Sequence, residues 1–267
     1  MSRQTLTSDR KFLVHDFDGV HYDVDGFKPD IYTFCAAIKA DVASIMFPFM
    51  KAARAEKIGR KSYDRTGDGL NYFTRIAEKL GILDDRFTDR MHIEYHRMQR
   101  MRTMETNAHL FVPCERTNIA FDRLQESGVR HGLLTQSCLI NWAVPQLKEL
   151  DRLKYFDADA LCGFAEVGYR SKKDSIEPIK YAVNRLGAEP SQIVFLEDNL
   201  DNLKRAKEYD ERILNVHIVH SRRFDSVPDY VDIRVERPAN IAELALSVIN
   251  PARTYSYPAR PELRLTP

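Results

Sequence analysis

Two carboxylates, Asp16 and Asp18, follow the short apolar run Phe12-Leu13-Val14 and are themselves followed by Gly19. An extended strand alternates its side chains, so this spacing sends both carboxylates to one face where the strand ends. Two like charges that close repel, and they need a cation or a shared proton. Asp-Phe-Asp-Gly is also ordinary turn chemistry, so the rest of the chain has to decide between turn and site. Complementary groups end other apolar runs. Thr135 and Gln136 follow His131-Gly132-Leu133-Leu134, Lys172 and Lys173 precede a helical stretch, and Glu197 and Asp198 follow Ile193-Val194-Phe195-Leu196. The acidic groups Asp16, Asp18, Glu197 and Asp198 around one point need a divalent cation, and hard oxygen ligands with room for water suit Mg²⁺. A cation, a lysine and a hydroxyl together form a site for a phosphoryl group.

These groups need a scaffold that brings strand ends together. From Pro113 onward helical spacing alternates with short apolar runs, with strands expected at 131–134, 159–162, 193–196, 213–219 and 231–235. Helices are expected over 118–127, over 140–150 with Pro145 kinking it or marking its start, and from Lys173 to Leu186. Such alternation predicts an α/β fold, a doubly wound parallel sheet covered by helices on both faces, with ligands outside the carboxyl ends of the strands. Between Pro29 and Glu105 the spacing is helical, near 30–40, 44–57, 69–80 and 85–105, which reads as an inserted helical segment. The expected division is a core of 1–20 and 111–250, an insertion of 21–110, and an extended tail of 251–267 holding four prolines and three arginines.

Composition narrows the partners. The chain has 267 residues with 43% hydrophobic content, enough for a packed core. Its 40 basic and 39 acidic residues give a net charge of +1, which offers no global attraction for a nucleic acid polymer or an anionic membrane. Four scattered cysteines without a CxxC spacing fit a reducing compartment, and no run approaches the roughly 18 apolar residues of a membrane span, so a cytoplasmic protein is expected. Other polar features read as structural. Asp23-Val24-Asp25-Gly26 repeats the acidic pattern without a strand before it and reads as a polar connector. His92 and His96 lack the Glu that a zinc-protease helix places after its first His, and the stripe Phe87, Met91, Tyr95, Met98 and Met101 reads as a packing face. The basic stretch between Lys51 and Arg65 reads as a solvated face, with contact to an anionic substrate as its alternative.

The motifs, taken in order, resemble the haloacid dehalogenase (HAD) superfamily, in its phosphatase branch with a helical cap after the first motif. Asp16-Phe17-Asp18-Gly19-Val20 is similar to that family's DxDG(T/V), and Leu133-Leu134-Thr135-Gln136-Ser137 to its hhhT(N)S. Val194 to Leu203 is similar to hhh(D/E)DxxxN. Counting back from Leu186-Gly187 places the family's lysine on Lys173 rather than Lys172, with Ser175 as the helix cap. Gln136 stands where Asn is commoner, and Asp174 where Pro usually follows the lysine. The spread of motifs is similar to that of the pyrimidine 5′-nucleotidase-like and phosphoglycolate phosphatase-like branches, and Gly67-Asp68-Gly69-Leu70 with the helix through Tyr95-His96 resembles caps of the former. The resemblance implies two-step covalent catalysis, in which Asp16 attacks phosphorus to form an aspartyl phosphate and Asp18 serves first as acid, then as base. Thr135, Gln136 and Lys173 would bind the phosphoryl group. Asp16, the backbone carbonyl of Asp18, and Asp198 would hold Mg²⁺, with Glu197 a ligand directly or through water. Asp18 argues for phosphate-ester chemistry over dehalogenation. The implied activity is a Mg²⁺-dependent phosphatase for a small soluble phosphomonoester, nucleoside 5′-monophosphates among the candidates. A phosphomutase or phosphotransferase, a non-catalytic phosphate-binding protein, and a receiver-type signalling module are the alternatives, the last being only about half this length.

Overall fold

The computed structural model describes residues 10–50, 85–220 and 227–236. Its strands are β1 (Phe12–His15), β2 (Arg130–Leu134), β3 (Phe156–Cys162), β4 (Ile193–Glu197), β5 (Leu214–Val219) and β6 (Ile233–Glu236). Its helices are α1 (Ile31–Met50), α2 (Asp85–Thr106), α3 (Glu115–Glu126), α4 (Val144–Glu149), α5 (Glu177–Leu186) and α6 (Leu200–Tyr209). The strands form one sheet in the order β3-β2-β1-β4-β5-β6, and every neighbouring pair is parallel. Burial on both faces explains why β4 reads as a nearly unbroken apolar run; every residue of β4 and β5 is buried, Asn215 and His217 of β5 included. The strand order reverses beside β1, which opens a crevice at the carboxyl ends of β1 and its neighbours. His15 is level with Leu133 on one side and Leu196 on the other, so Asp16, Thr135 and Glu197 all arrive at that edge.

Several expected boundaries shift, among them the helix expected from Lys173, which begins at Glu177, and the strand expected over 231–235, which runs over Ile233–Glu236. The helices expected over 30–40 and 44–57 begin as one continuous helix, α1, because Ala40-Asp41-Val42-Ala43 contains no breaker. Arg102 of α2 holds Asp41 from outside, its Nη2 donating to Oδ1 at 2.9 Å. Pro145 marks the true start of α4, and β3 begins at Phe156, three residues before the expected Asp159. The helix expected over 69–80, the basic stretch of 51–65, the side chain of Phe87 and the tail of 251–267 lie outside the described residues. Of the α2 stripe, Met91 and Tyr95 are buried, Met98 packs beside them, and Met101 is exposed. No described helix is long and apolar enough to cross a membrane.

The chain leaves the sheet through Phe27 and Lys28 and returns through Asn107 and Phe111. The Asn107 amide ties these two crossings together, its Oδ1 accepting from Lys28 N at 2.6 Å and its Nδ2 donating to Lys28 O at 3.2 Å.

Histidines occupy core positions. His15, His21 and His131 are buried around Phe121 and Phe156, with His15 Nε2 and His131 Nδ1 3.0 Å apart, and Arg152 donates to the His21 carbonyl at 2.9 Å. His92 and His96 lie face to edge, 4.5 Å between centroids, with His92 also against Phe164 and Tyr169. Burial holds these imidazoles neutral: His131 and His96 are lowered to about 3, and His92 to about 4. In the unfolded chain each takes a proton near pH 6.5. Below that the unfolded state binds more protons, so stability is full above about pH 6.5 and falls as pH drops toward 3–4, by at most about 1.4 kcal/mol per pH unit for each histidine. Urea denaturation at stepped pH should show the unfolding free energy falling between about pH 6.5 and about pH 4.5, and a flat profile there would contradict neutral burial.

Candidate active site

The first strand ends at His15, and the Asp16 amide still reaches across to the Leu196 carbonyl at 2.9 Å. The chain then turns rather than staying extended: Val20 N and His21 N both donate to the Phe17 carbonyl, at 3.3 and 3.0 Å. Alternation along a strand therefore does not place Asp18. Gly19 enters the left-handed region, φ 75°, and a Cβ on it would lie 2.2 Å from Asp198 Oδ2. Only glycine lets the turn pass that close to the acidic end of β4.

The buried ammonium at this edge belongs to Lys172. Its Nζ lies 2.9 Å from Asp16 Oδ1 and 2.7 Å from Glu197 Oε2, and it donates to the Leu134 carbonyl at 3.1 Å. The expected lysine, Lys173, is half-buried, and its carbonyl accepts from Arg205 Nε at 2.9 Å. The register slips by one because residues 171–175 form a tight turn, in which Asp174 N and Ser175 N both bond the Ser171 carbonyl. Counting back from the helix through a spacer of assumed length cannot resolve such a turn. Ser175 does serve the helix start, its Oγ accepting from Glu177 N at 3.2 Å.

Three acidic side chains, Asp16, Glu197 and Asp198, bring oxygens within 4.8 Å of one another. Burial, together with the neighbouring Glu197 charge, raises Asp16 well above the usual carboxylate range, and the same two causes raise Asp198. Burial also acts to raise Glu197, but Lys172 outweighs it and the group ends below its ordinary value. Burial opposes the charge on Lys172, yet the two carboxylates raise it overall. Both oxygens of Glu197 are engaged, Oε2 by Lys172 and Oε1 by Asn199 N at 3.1 Å, while Asp16 and Asp198 are left with excess negative charge. That excess, on hard oxygen donors, fits a divalent cation.

Asp18 is surrounded differently. Tyr22 Oη and Trp142 Nε1 donate to its Oδ1 at 2.5 and 2.7 Å, and Ser137 Oγ donates to its Oδ2 at 2.5 Å. Thr135 is buried at the end of β2, where its Oγ1 accepts from Ser137 N at 3.1 Å, and Gln136 beside it is half-buried. His220, beyond β5, bonds the Gly19 carbonyl and faces Asp23 Oδ1 at 3.1 Å, while His217 Nε2 reaches the Asp198 carbonyl at 3.0 Å. Asp23 is thus a connector, as its lack of a preceding strand predicts, and it also caps the short turn Val24–Gly26. The polar roles of Tyr22, Trp142 and His220 are not read from the sequence. The one available signal was that Trp142 is the chain's single tryptophan, a donor that needs a partner when buried.

A family model described as haloacid dehalogenase-like hydrolase matches residues 11–210. Among solved structures, the chain is similar to a β-phosphoglucomutase from Clostridium difficile, with 13% identity and a TM-score of 0.56, over 91% of this chain and 98% of that one. It is similar to a HAD hydrolase of family IA, variant 3, from Entamoeba histolytica, with 13% identity and a TM-score of 0.58, over 90% and 99%. A hydrolase from Pseudomonas syringae aligns with 14% identity and a TM-score of 0.54, over 87% and 96%. At these identities the likeness is one of fold. No curated protein matches the sequence.

Lys172 and Lys173 are separable by stability alone. Lys172→Met leaves two buried carboxylates without their counter-ion and should cost about 3–5 kcal/mol in denaturant unfolding, whereas Lys173→Met should cost less than about 1 kcal/mol. Equal losses would refute the assignment of the buried ammonium.

Proposed function

The chain belongs to the haloacid dehalogenase-like hydrolases, and from that premise we propose that it is a phosphatase acting on small soluble phosphomonoesters through an aspartyl phosphate. The observation that carries this reading is Lys172 set between Asp16 and Glu197, beside Asp198, at the carboxyl edge of the sheet. Such an edge suits positioning and charge stabilisation of a phosphoryl group.

In this reading Asp16 is the nucleophile. Lys172 holds its carboxylate in place and faces the transferring oxygens, and Glu197 fixes Lys172. Thr135 and Gln136 receive the phosphoryl group from the end of β2. Asp18 gives a proton to the leaving oxygen, then takes one from the water that hydrolyses the aspartyl phosphate. Asp16, Asp198 and the Asp18 carbonyl would hold a divalent cation, with Mg²⁺ the ion such donors favour, and it would supply charge neutralisation when bound. Substrate choice falls to the insertion of 21–110, and nucleoside 5′-monophosphates are among the esters to test. The neighbour from Clostridium difficile is a β-phosphoglucomutase, and a phosphomutase would use the same residues while passing the phosphoryl group to a second hydroxyl.

Purified protein with Mg²⁺ should release inorganic phosphate from at least one member of a panel of nucleotides, sugar phosphates and phosphoglycolate. Asp16→Asn should abolish release, and Asp18→Asn should slow it by about 10²–10⁴-fold in a protein that stays folded. Activity surviving Asp16→Asn would sink the mechanism. Transfer between sugar hydroxyls without phosphate release would favour the mutase, and folded protein inert on the whole panel would favour a binding role. Chelation of the divalent cation should stop turnover, and its return should restore it.

A further inference from the structure

Asp18 is held by three uncharged donors, Tyr22 from its own turn, Ser137 from the loop after β2 and Trp142 from the turn before α4. We propose that Tyr22 and Trp142 are positioning residues for Asp18, setting the orientation from which it exchanges protons with the leaving oxygen and the attacking water. This assignment rests on the phosphatase reading above. Both donors converge on Oδ1, leaving Oδ2 to Ser137. A carboxylate has two oxygens and accepts only, so two neutral donors on one oxygen fix which oxygen faces the reacting groups.

The local backbone supports a dedicated role for Trp142. Residues Leu139–Ala143 form a single π-helical turn, with Ala143 N bonding the Cys138 carbonyl five residues back at 3.1 Å. Such a turn is rare, and here it aims the indole N–H of a fully buried tryptophan at Asp18. Tyr22 sits four residues beyond Asp18, at the end of the turn that Gly19 permits. Its ring is packed by Phe111 at 4.6 Å and Phe27 at 5.8 Å between centroids, and Trp142 meets Phe111 at 5.6 Å. Ring packing alone would be met by Phe at position 22, and at position 142 it calls for a large apolar ring but not for an N–H. The hydroxyl and the indole N–H are what the packing does not require, and both end on the same carboxylate oxygen.

Leaving-group dependence tests the role, because a 4-nitrophenolate leaves without a proton and an alkoxide does not. The value of kcat/KM with Mg²⁺ should be measured for 4-nitrophenyl phosphate and for an alkyl phosphate such as glycerol phosphate. Tyr22→Phe, which keeps the ring, and Trp142→Phe should each lower the alkyl value about tenfold or more and the nitrophenyl value by less than about threefold. A merely structural loss would lower both alike. Trp142 also gives a direct readout as the single tryptophan: Asp18→Ala should shift its fluorescence emission. Equal losses on both esters, no loss in Tyr22→Phe, or an unshifted Asp18→Ala emission would each overturn the assignment. If the unsubstituted protein turns over neither ester nor any other phosphomonoester, the phosphatase reading fails and takes this one with it. Turnover of both esters with the wrong pattern in the variants removes this assignment alone.

Discussion

The Lys172 ammonium is the interaction on which the rest of the site depends. Its Nζ joins β1 through Asp16, β4 through Glu197, β2 through the Leu134 carbonyl, and the loop before α5 through its own backbone. Taking an ammonium and a carboxylate out of water costs several kcal/mol each, and only good geometry with every donor used offsets it. Lys172 meets that condition with partners on three strands. The compensation is incomplete in charge, since one ammonium faces the three carboxylates Asp16, Glu197 and Asp198. A residual negative charge at a buried strand edge is what would suit this crevice to a cation. The parallel sheet supplies the precondition, since strand ends in matched register bring charges from distant stretches of chain to one level.

Asp16 and Asp18 show how the backbone separates two like residues. Asp16 continues the line of β1 and enters a field of full charges, with Lys172 opposite in sign and Glu197 alike. Asp18, two residues later, is carried off the strand by a turn and meets only uncharged donors. The turn depends on Gly19, whose missing side chain lets it run against Asp198. A carboxylate among charges and a carboxylate among neutral donors suit different tasks, which is the physical ground for proposing one as a nucleophile and the other as an acid and base.

The sheet was legible in the sequence because strands buried on both faces must be short and apolar, and those bounded by turn residues stand out. Asp16, Thr135, Glu197 and Asp198 were legible for the same reason, each closing such a run. What was not legible lay in irregular backbone. Lys172 and Lys173 are indistinguishable until the turn of 171–175 chooses one, and Asp18 is placed by a turn that an extended-strand argument cannot describe. Trp142 and Tyr22 look like core residues, which they also are, and their bonds to Asp18 reside in one polar atom each. His15 and His131 were hidden differently, since imidazoles within apolar runs give no hint that burial keeps them neutral.

The stitch between Lys28 and Asn107 has a consequence for how this architecture can vary. Because the outgoing and returning chain are fastened side by side at the sheet, whatever lies between them is a loop whose ends are already closed. Lengthening such a loop adds closure entropy only as the logarithm of its length, about 0.6 kcal/mol per doubling. The closure cost is therefore nearly indifferent to the length of the segment that emerges from that neck, although its helices α1 and α2 share a buried cluster with Phe17, Leu133 and Trp142. Length added beyond the packed stretches of α1 and α2 would leave the fastened neck, and the charges beneath it, where they are.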